Sequence, residues 1–148
     1  MQMADYKAPL RDRRFVLKEV LEDAKLWTGL PALADSIDAQ TVEATLEEAG
    51  KVTCKRVAPL SRAADEQGCH LIEGAVTTPA DFPKAFQTYA EGGWVSVCGD
   101  PTYGGVGMPK AMSAQVEEMV NSATLAFDLY PMQTIRACLS IRSLAAQV

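Results

Sequence analysis

The sequence lacks long apolar runs and clustered positive charge. No apolar run approaches the roughly 20 residues that span a bilayer, and the amino-terminal residues contain no apolar segment typical of a secretory signal. We therefore expect a cytoplasmic protein that does not bind membranes. Acidic residues outnumber basic ones, 19 to 14, for a formal net charge of -5. Interspersed charge of this kind disfavours nucleic acid as a partner, because phosphate binding needs a clustered positive field.

Familiar catalytic and metal-binding patterns are also missing. The four cysteines have no paired spacing, which predicts free thiols and no zinc site. Cys69 stands beside His70, the single histidine, but adjacent residues rarely place both side chains within hydrogen-bonding reach, so a catalytic dyad is disfavoured. The acidic pairs Glu47-Glu48 and Glu117-Glu118 are typical of solvated helix faces. These residues alone therefore predict no catalytic, cofactor-binding or metal-binding site.

Helical periodicity is what the sequence does have. Its 148 residues, 48% apolar and 22% charged, have the composition of a folded domain. A first helical pattern has one apolar side, formed by Phe15, Val16, Val20 and Leu21, and is closed by Trp27 and Leu30. A second begins at Asp38, a candidate N-cap, with apolar residues at helical spacing: Val42, Leu46, Ala49, Val57 and Leu60. Glu47 and Lys51 are spaced to pair on it, and Pro59 either kinks this helix or ends it.

The second half of the chain continues the helical pattern. An extended segment is expected at Gly74–Thr78, without an obvious partner strand. A third helix starts near Pro79 and runs to about Glu91, with core contacts from Phe82, Phe86 and Tyr89. A fourth spans Lys110 to Phe127 with the apolar stripe Met112, Val116, Met119, Val120, Ala123 and Phe127. Pro131 interrupts, and a last helix follows from Met132. The pattern predicts an all-α bundle of about five helices.

A glycine-rich loop, Gly99 to Pro109, precedes the fourth helix. Glycines let a backbone approach phosphate, and a helix start adds a favourable dipole. However, Gly104-Gly105-Val106-Gly107 fits neither nucleotide-binding fingerprint. We interpret the loop as structural.

Three ordered stretches together resemble the flavin-dependent acyl-CoA dehydrogenases. Tyr6-Lys7-Ala8-Pro9-Leu10-Arg11-Asp12 resembles the amino-terminal extension of the branch that includes long-chain and methylmercaptopropionyl-CoA dehydrogenases. Ala58 to Gly68 resembles the end of the family's first main helix. Gly92 to Pro109 resembles its P-x-x-Y-G-G-x-G loop. The resemblance implies an amino-terminal extension with one helix over residues 1–36 and the family's amino-terminal helical domain over residues 37–148.

The resemblance also implies a function. Members of the family use FAD to oxidise an acyl-CoA to the 2,3-enoyl-CoA, with flavin-binding and catalytic-base domains that follow the helical domain. The sequence departs from the family pattern after Pro131, and we expect a truncated chain that is inactive alone and holds no cofactor or catalytic residue. By position in the family, Phe127, Leu129, Tyr130 and Met132 are expected to line the acyl pocket. Core packing is the alternative for each.

A second hypothesis is a non-catalytic helical binding or dimerisation module. Without the family's middle domain, apolar surface is expected to be exposed, and self-association is the simplest way to cover it. Acyl-CoA and a separately encoded flavin-domain polypeptide are the alternative partners. In the last case the assembled protein would be a working enzyme.

Overall fold

Six α-helices run through the residues that this computed structural model describes, 5–29 and 37–145. They are α1 (Leu10–Phe15), α2 (Asp23–Thr28), α3 (Ala39–Val52), α4 (Ser61–Gln67), α5 (Phe82–Glu91) and α6 (Lys110–Ala145). One two-stranded sheet, of β1 (His70–Ile72) and β2 (Ala75–Thr77), accompanies them in these residues. The predicted all-α fold of about five helices is confirmed. Leu30, expected to close the first helical segment, lies outside the described residues.

An amino-terminal strap, residues 5–9, ties the start of the chain to α6. The Tyr6 hydroxyl donates to the Met119 carbonyl at 3.0 Å and lies 2.8 Å from the Ser122 hydroxyl. The Ala8 amide donates to the Cys54 sulfur at 3.3 Å. In α1, directly after the strap, the Arg13 guanidinium forms an ion pair with Glu118 of α6. Four side-chain contacts therefore hold the strap and α1 against the rest of the fold.

The apolar side predicted for the first helical segment is wrong. Phe15, Val20 and Leu21 are exposed, whereas Leu17 is fully buried. For the residues after Phe15 the reason is that α1 ends there and a π-helical turn follows over Val16–Val20. A π turn has more residues than an α turn, so it rotates the following side chains away from the positions that α-helical spacing gives them.

The N-cap predicted for α3 is confirmed. The Asp38 carboxylate accepts a hydrogen bond from the Thr41 amide at 2.7 Å, and this bond holds the pKa of Asp38 below its ordinary value. The apolar residues of this segment are buried as predicted, except Leu60, which is half-buried: Val42, Leu46, Ala49 and Val57.

The end of α3 is irregular. A π-helical turn, Thr53–Val57, and a 3-10 turn, Ala58–Leu60, connect it to α4, so Pro59 lies beyond the end of the helix. The predicted ion pair between Glu47 and Lys51 is wrong. Lys51 instead pairs with Glu48 at 3.1 Å, and Glu47 pairs with Arg14 at 3.3 Å, because α1 packs against this face of α3.

The extended segment predicted around Gly74 has a partner strand after all. Strand β2 pairs antiparallel with β1, with His70 opposite Thr77 and Ile72 opposite Ala75. Glu73 and Gly74 between them both have positive φ angles, 51° and 82°, as a tight two-residue hairpin turn requires. Both strands are exposed along their length.

Helix α6 begins at Lys110 as predicted, but it does not end where expected. It continues past Phe127 and Pro131 to Ala145, and its regular geometry is broken at Thr124, where the backbone is extended (φ -159°, ψ 90°). The Thr124 hydroxyl donates to the Val57 carbonyl at 3.3 Å, which holds the break against the π turn after α3. A straight helix from Lys110 to Arg142 would be about 48 Å long. The Arg142 guanidinium nevertheless lies 3.8 Å from the carboxylate of Asp100, which is ten residues before the start of α6. The end of the helix therefore returns toward its start, which requires the helix axis to change direction.

Two buried clusters form the core, and the first half of α6 contributes to both. One joins this half with the first helical segment and α3: Leu17, Trp27, Val42, Leu46, Ala49, Met112, Val116 and Met119. The other joins this half, and Phe127 just after the break at Thr124, with α4, α5 and the π turn after α3: Val57, Ala64, Phe82, Tyr89, Val120, Ala123 and Phe127. The predicted apolar stripe of this helix is therefore confirmed. Over the described ranges, no helix combines the length and apolarity needed to cross a membrane.

Candidate functional site

An apolar cleft lies between α5 and the second half of α6. Its volume is about 110 Å³, and six residues line it: Thr78, Phe82, Pro83, Phe86, Phe127 and Tyr130. Pro83 lies in the first turn of α5, where its missing N–H leaves no hydrogen bond unmade. The volume equals that of roughly four water molecules in the liquid, so the cleft fits a short aliphatic group.

Aromatic rings fix the shape of this cleft. Phe82 contacts Phe127 and Tyr130 edge to face, with ring centroids 5.6 and 5.9 Å apart. On the far side, Tyr89 contacts Phe127 in the same manner at 5.7 Å. Such contacts are favourable beyond the area that they bury. The rings therefore form a connected wall from the core to the surface.

The structure brings together two of the four residues expected to line an acyl pocket. Phe127 is fully buried behind the cleft, and Tyr130 borders it with its side chain partly exposed. Leu129 is 47% exposed and Met132 is half-buried, and neither borders the cleft. Sequence reasoning placed Phe82 and Phe86 only in the core. Their spacing of four on α5 gave no sign that they would meet Tyr130.

The cleft offers carbon surface and two hydroxyl groups, those of Thr78 and Tyr130. Burial raises the pKa of Tyr130 above its ordinary value, and the neighbouring Cys69 thiol adds to the effect. A neutral phenol can donate or accept a hydrogen bond at the edge of the cleft. No lining side chain is an acid or base at neutral pH, so the cleft is suited to binding an apolar group.

A buried acid lies behind the aromatic wall. Asp128 is only 1% exposed, and its Oδ2 atom has no hydrogen-bond partner in the described part of the chain. Burial, reinforced by the negative charge of Glu117, raises the pKa of Asp128 to about 6. Burial also raises the pKa of Tyr89 well above its ordinary value, with Asp128 and Glu117 adding to the effect.

Sequence reasoning missed Asp128. The signal was a row of polar residues at helical spacing along α6: Ser113, Glu117, Asn121 and Asp128. Hydrogen bonds connect the first three residues of this row. The Ser113 hydroxyl donates to the Glu117 carboxylate at 2.5 Å, and the side-chain amide of Asn121 donates to the Glu117 backbone carbonyl at 2.9 Å.

The glycine-rich loop before α6 is closed by its own backbone. Amides of the loop donate to carbonyls within Ser96–Asp100 at 2.8–3.0 Å: those of Gly105, Val106, Gly107 and Met108. Asp100 accepts from the Thr102 amide at 2.9 Å, which lowers the pKa of Asp100. These four N–H groups are therefore unavailable to a phosphate, in agreement with a structural interpretation of the loop.

Sequence comparison connects this chain with two curated relatives. It is 34% identical over 131 residues to 3-methylmercaptopropionyl-CoA dehydrogenase from Ruegeria pomeroyi, an alignment that covers 87% of this chain and 22% of the relative. It is 29% identical over 150 aligned positions to butyryl-CoA dehydrogenase from Syntrophomonas wolfei subsp. wolfei, covering 99% of this chain and 24% of the relative. No family model matches the chain.

Proposed function

This chain is a relative of the acyl-CoA dehydrogenases that spans less than a quarter of their length, and we propose that it forms one wall of the acyl pocket in such an enzyme. The observation that carries the proposal is the apolar cleft between α5 and α6, which Phe127 and Tyr130 both line. The aliphatic part of a short acyl-CoA would lie against Phe82 and Phe86. Leu129 and Met132 would contribute only to neighbouring surface.

The chain on its own would bind acyl groups without oxidising them. In the full-length enzymes, FAD accepts the hydride and a carboxylate removes the proton, and we assign neither group to any residue described above. The proposal predicts a colourless purified protein. It also predicts no dehydrogenase activity with an artificial electron acceptor. A visible absorption spectrum with the bands of bound flavin would contradict it.

Binding of butanoyl-CoA and of free coenzyme A tests the acyl contact directly. Each methylene group that leaves water contributes about 0.8 kcal/mol. Three aliphatic carbons therefore favour butanoyl-CoA over coenzyme A by about 2.4 kcal/mol, or roughly 50-fold in Kd. Isothermal titration or ligand-observed NMR measures this ratio. Equal affinity for the two compounds would show that the acyl chain makes no contact.

Two neighbouring substitutions locate the contact. Tyr130 lines the cleft, whereas Leu129, next to it on α6 and also partly exposed, does not. Tyr130→Ala should reduce the preference for butanoyl-CoA over coenzyme A. Leu129→Ala, the matched control, should leave it unchanged. If both variants bind like the original chain, the acyl group lies elsewhere.

A second candidate function is self-association. Apolar side chains project from the β-hairpin and from the end of α6, among them Leu71, which is 73% exposed, Val76, Ile141 and Leu144. Leu71 and Val76 are cross-strand partners, so the hairpin presents an apolar patch of the kind that marks interaction sites. A symmetric dimer needs only one self-complementary patch. A separately encoded flavin-domain polypeptide is the alternative partner for the same surface.

Sedimentation velocity over a range of concentrations tests this second function. We expect a dimer that the double substitution Leu71→Glu and Val76→Glu converts to a monomer. The control is Gln133→Glu, which adds charge at an exposed position outside the hairpin, on α6. It should leave the dimer intact. A monomer at every concentration would remove the reason for the proposal. Loss of the dimer in Gln133→Glu would show that added charge, rather than the hairpin, is responsible.

A further inference from the structure

Asp128 lies between two irregular positions of α6. Thr124, one turn before it, has an extended backbone, and Pro131, one turn after it, has no N–H to donate. This part of the helix is therefore held by fewer backbone hydrogen bonds than a regular helix. Side-chain packing of the intervening residues must position it.

Packing in this stretch consists of aromatic contacts and one buried acid. Phe127 and Tyr130 contact Phe82 of α5, while the Asp128 side chain points into the interior, with its Oδ2 atom buried and unpartnered in the described residues. A buried carboxylate with one oxygen left unpartnered is costly, whereas its neutral form is much less so. The two contributions oppose each other: the rings hold the segment in place, and an ionised Asp128 favours its release.

The groups that face Asp128 strengthen this opposition. Glu117 from the first half of α6 adds a like charge, and the neutral phenol of Tyr89 faces it from α5. The Asn121 side-chain amide and the Arg136 guanidinium lower the pKa of Asp128. They offset only part of the increase that burial and Glu117 cause. Arg136 is exposed, so solvent screens its charge more strongly.

We propose that Asp128 is a protonation switch that controls how the segment from Leu125 to Tyr130 packs against α5. With a neutral Asp128 the segment is docked and the aromatic wall is closed. With an ionised Asp128 the segment opens more often, and Phe127 and Tyr130 move away from Phe82. Because these rings line the apolar cleft, access to the cleft follows the charge of one buried side chain.

The switch acts in a defined pH range. The pKa of Asp128 in the folded chain is about 6, raised by burial from an ordinary value of 3.8. Because the folded-state pKa is raised, protonated Asp128 stabilises the docked segment. This stabilisation is fully present below the ordinary pKa and is lost as pH rises through about 6. The difference of about two pH units corresponds to at most about a 100-fold change in the opening equilibrium.

Hydrogen exchange of the full 148-residue chain at pH 5 and pH 7.5 tests the proposal, with rates corrected for the intrinsic effect of pH. Amides of Leu125 to Tyr130 should open more often at pH 7.5, by about 10-fold, because an opened Asp128 is already largely ionised at pH 5 and only the last pH unit below about 6 remains. Amides of α3 should show no such change. Asp128→Asn should keep the segment closed at both pH values. Asp65→Asn, at an exposed position of α4, is the matched control and should retain the original response.

Titration of the Asp128 carboxyl carbon by NMR provides a test that does not depend on the folding of Asp128→Asn. Its midpoint should lie near pH 6 in the original chain and move to lower pH in Glu117→Gln, because the neighbouring negative charge is gone. A midpoint near 4, or one that Glu117→Gln leaves in place, would overturn the switch. So would a pH response of the exchange rates that persists in Asp128→Asn.

Discussion

Phe127 meets the ring of Phe82 edge to face, with centroids 5.6 Å apart and ring planes at 89°. This contact joins α6 to α5 immediately after the break at Thr124. The backbone is irregular at that point, so the position of the second half of α6 depends on this pair more than on the continuity of the helix.

Replacement of Phe127 by alanine should therefore destabilise the chain strongly. Truncation of a fully buried phenylalanine leaves a cavity and costs about 3 to 5 kcal/mol. Leu125, two residues earlier and 60% exposed, supplies the control, since its replacement by alanine should change stability by no more than about 0.5 kcal/mol. Urea unfolding followed by circular dichroism measures both. Similar losses for the two variants would show that the ring of Phe127 is not part of the core.

Two adjacent glycines of the loop before α6 should respond differently to alanine. A Cβ on Gly105 would overlap the backbone of Gly99, whereas a Cβ on Gly104 meets nothing within 4 Å. Gly104 has a positive φ of 82°, so Gly104→Ala costs only about 1 kcal/mol of backbone strain. Gly105→Ala forces the loop apart and should cost about 3 kcal/mol or more. Thermal unfolding compares them, and an equal loss in both variants would contradict the close approach of Gly105 to Gly99.

The hydroxyl of Tyr6 should contribute measurably to stability. Tyr6→Phe removes the hydrogen bonds to the Met119 carbonyl and the Ser122 hydroxyl, at a cost of about 0.5 to 1.5 kcal/mol. Tyr103 is 89% exposed, so Tyr103→Phe controls for loss of a phenol as such and should be neutral. Equilibrium unfolding in urea distinguishes the variants. If Tyr6→Phe is as stable as Tyr103→Phe, the strap is not held by its hydroxyl.

The ion pair between Arg13 and Glu118 should make the free energy of unfolding depend on pH in the acidic range. The Arg13 guanidinium holds the pKa of Glu118 below its ordinary value of 4.5. A lowered folded-state pKa gives a stabilising effect that is present above the ordinary value and is lost as pH falls through the lowered one. Glu118→Gln should therefore be less stable than the original chain at pH 7, and the difference should shrink as pH falls below 4.5. A constant difference across this range, measured by urea unfolding, would exclude the pair as its cause.

Local patterns predicted much of the fold. The Asp38 cap and the apolar stripe from Met112 to Phe127 depend on residues close together in the chain, and both are confirmed. The break at Thr124 could not be predicted in this way. Threonine is not a helix breaker, and the hydroxyl partner that holds the break, the Val57 carbonyl, is 67 positions away. The π-helical turn after Phe15 likewise has no local signature such as proline or glycine.

The candidate site was less accessible to sequence reasoning than the fold. Phe127 and Tyr130 entered through family resemblance, while Phe82 and Phe86 were recognised only as apolar positions of a helix. The contact between the two pairs arises from how α5 lies on α6, which helical periodicity does not specify. Asp128 was overlooked because an acid beside an apolar stripe is usually solvated. Its burial results from the same long-range packing.

The contact between Tyr6 and Met119 also bears on how the chain folds as it is made. The two residues are separated by 113 positions, so at roughly 5 to 20 residues per second the ribosome adds Met119 roughly 6 to 23 seconds after Tyr6. During that interval the strap has no Met119 carbonyl to bind. Its docking on α6 therefore cannot precede the synthesis of Met119, and a nascent chain stopped before that residue cannot complete it.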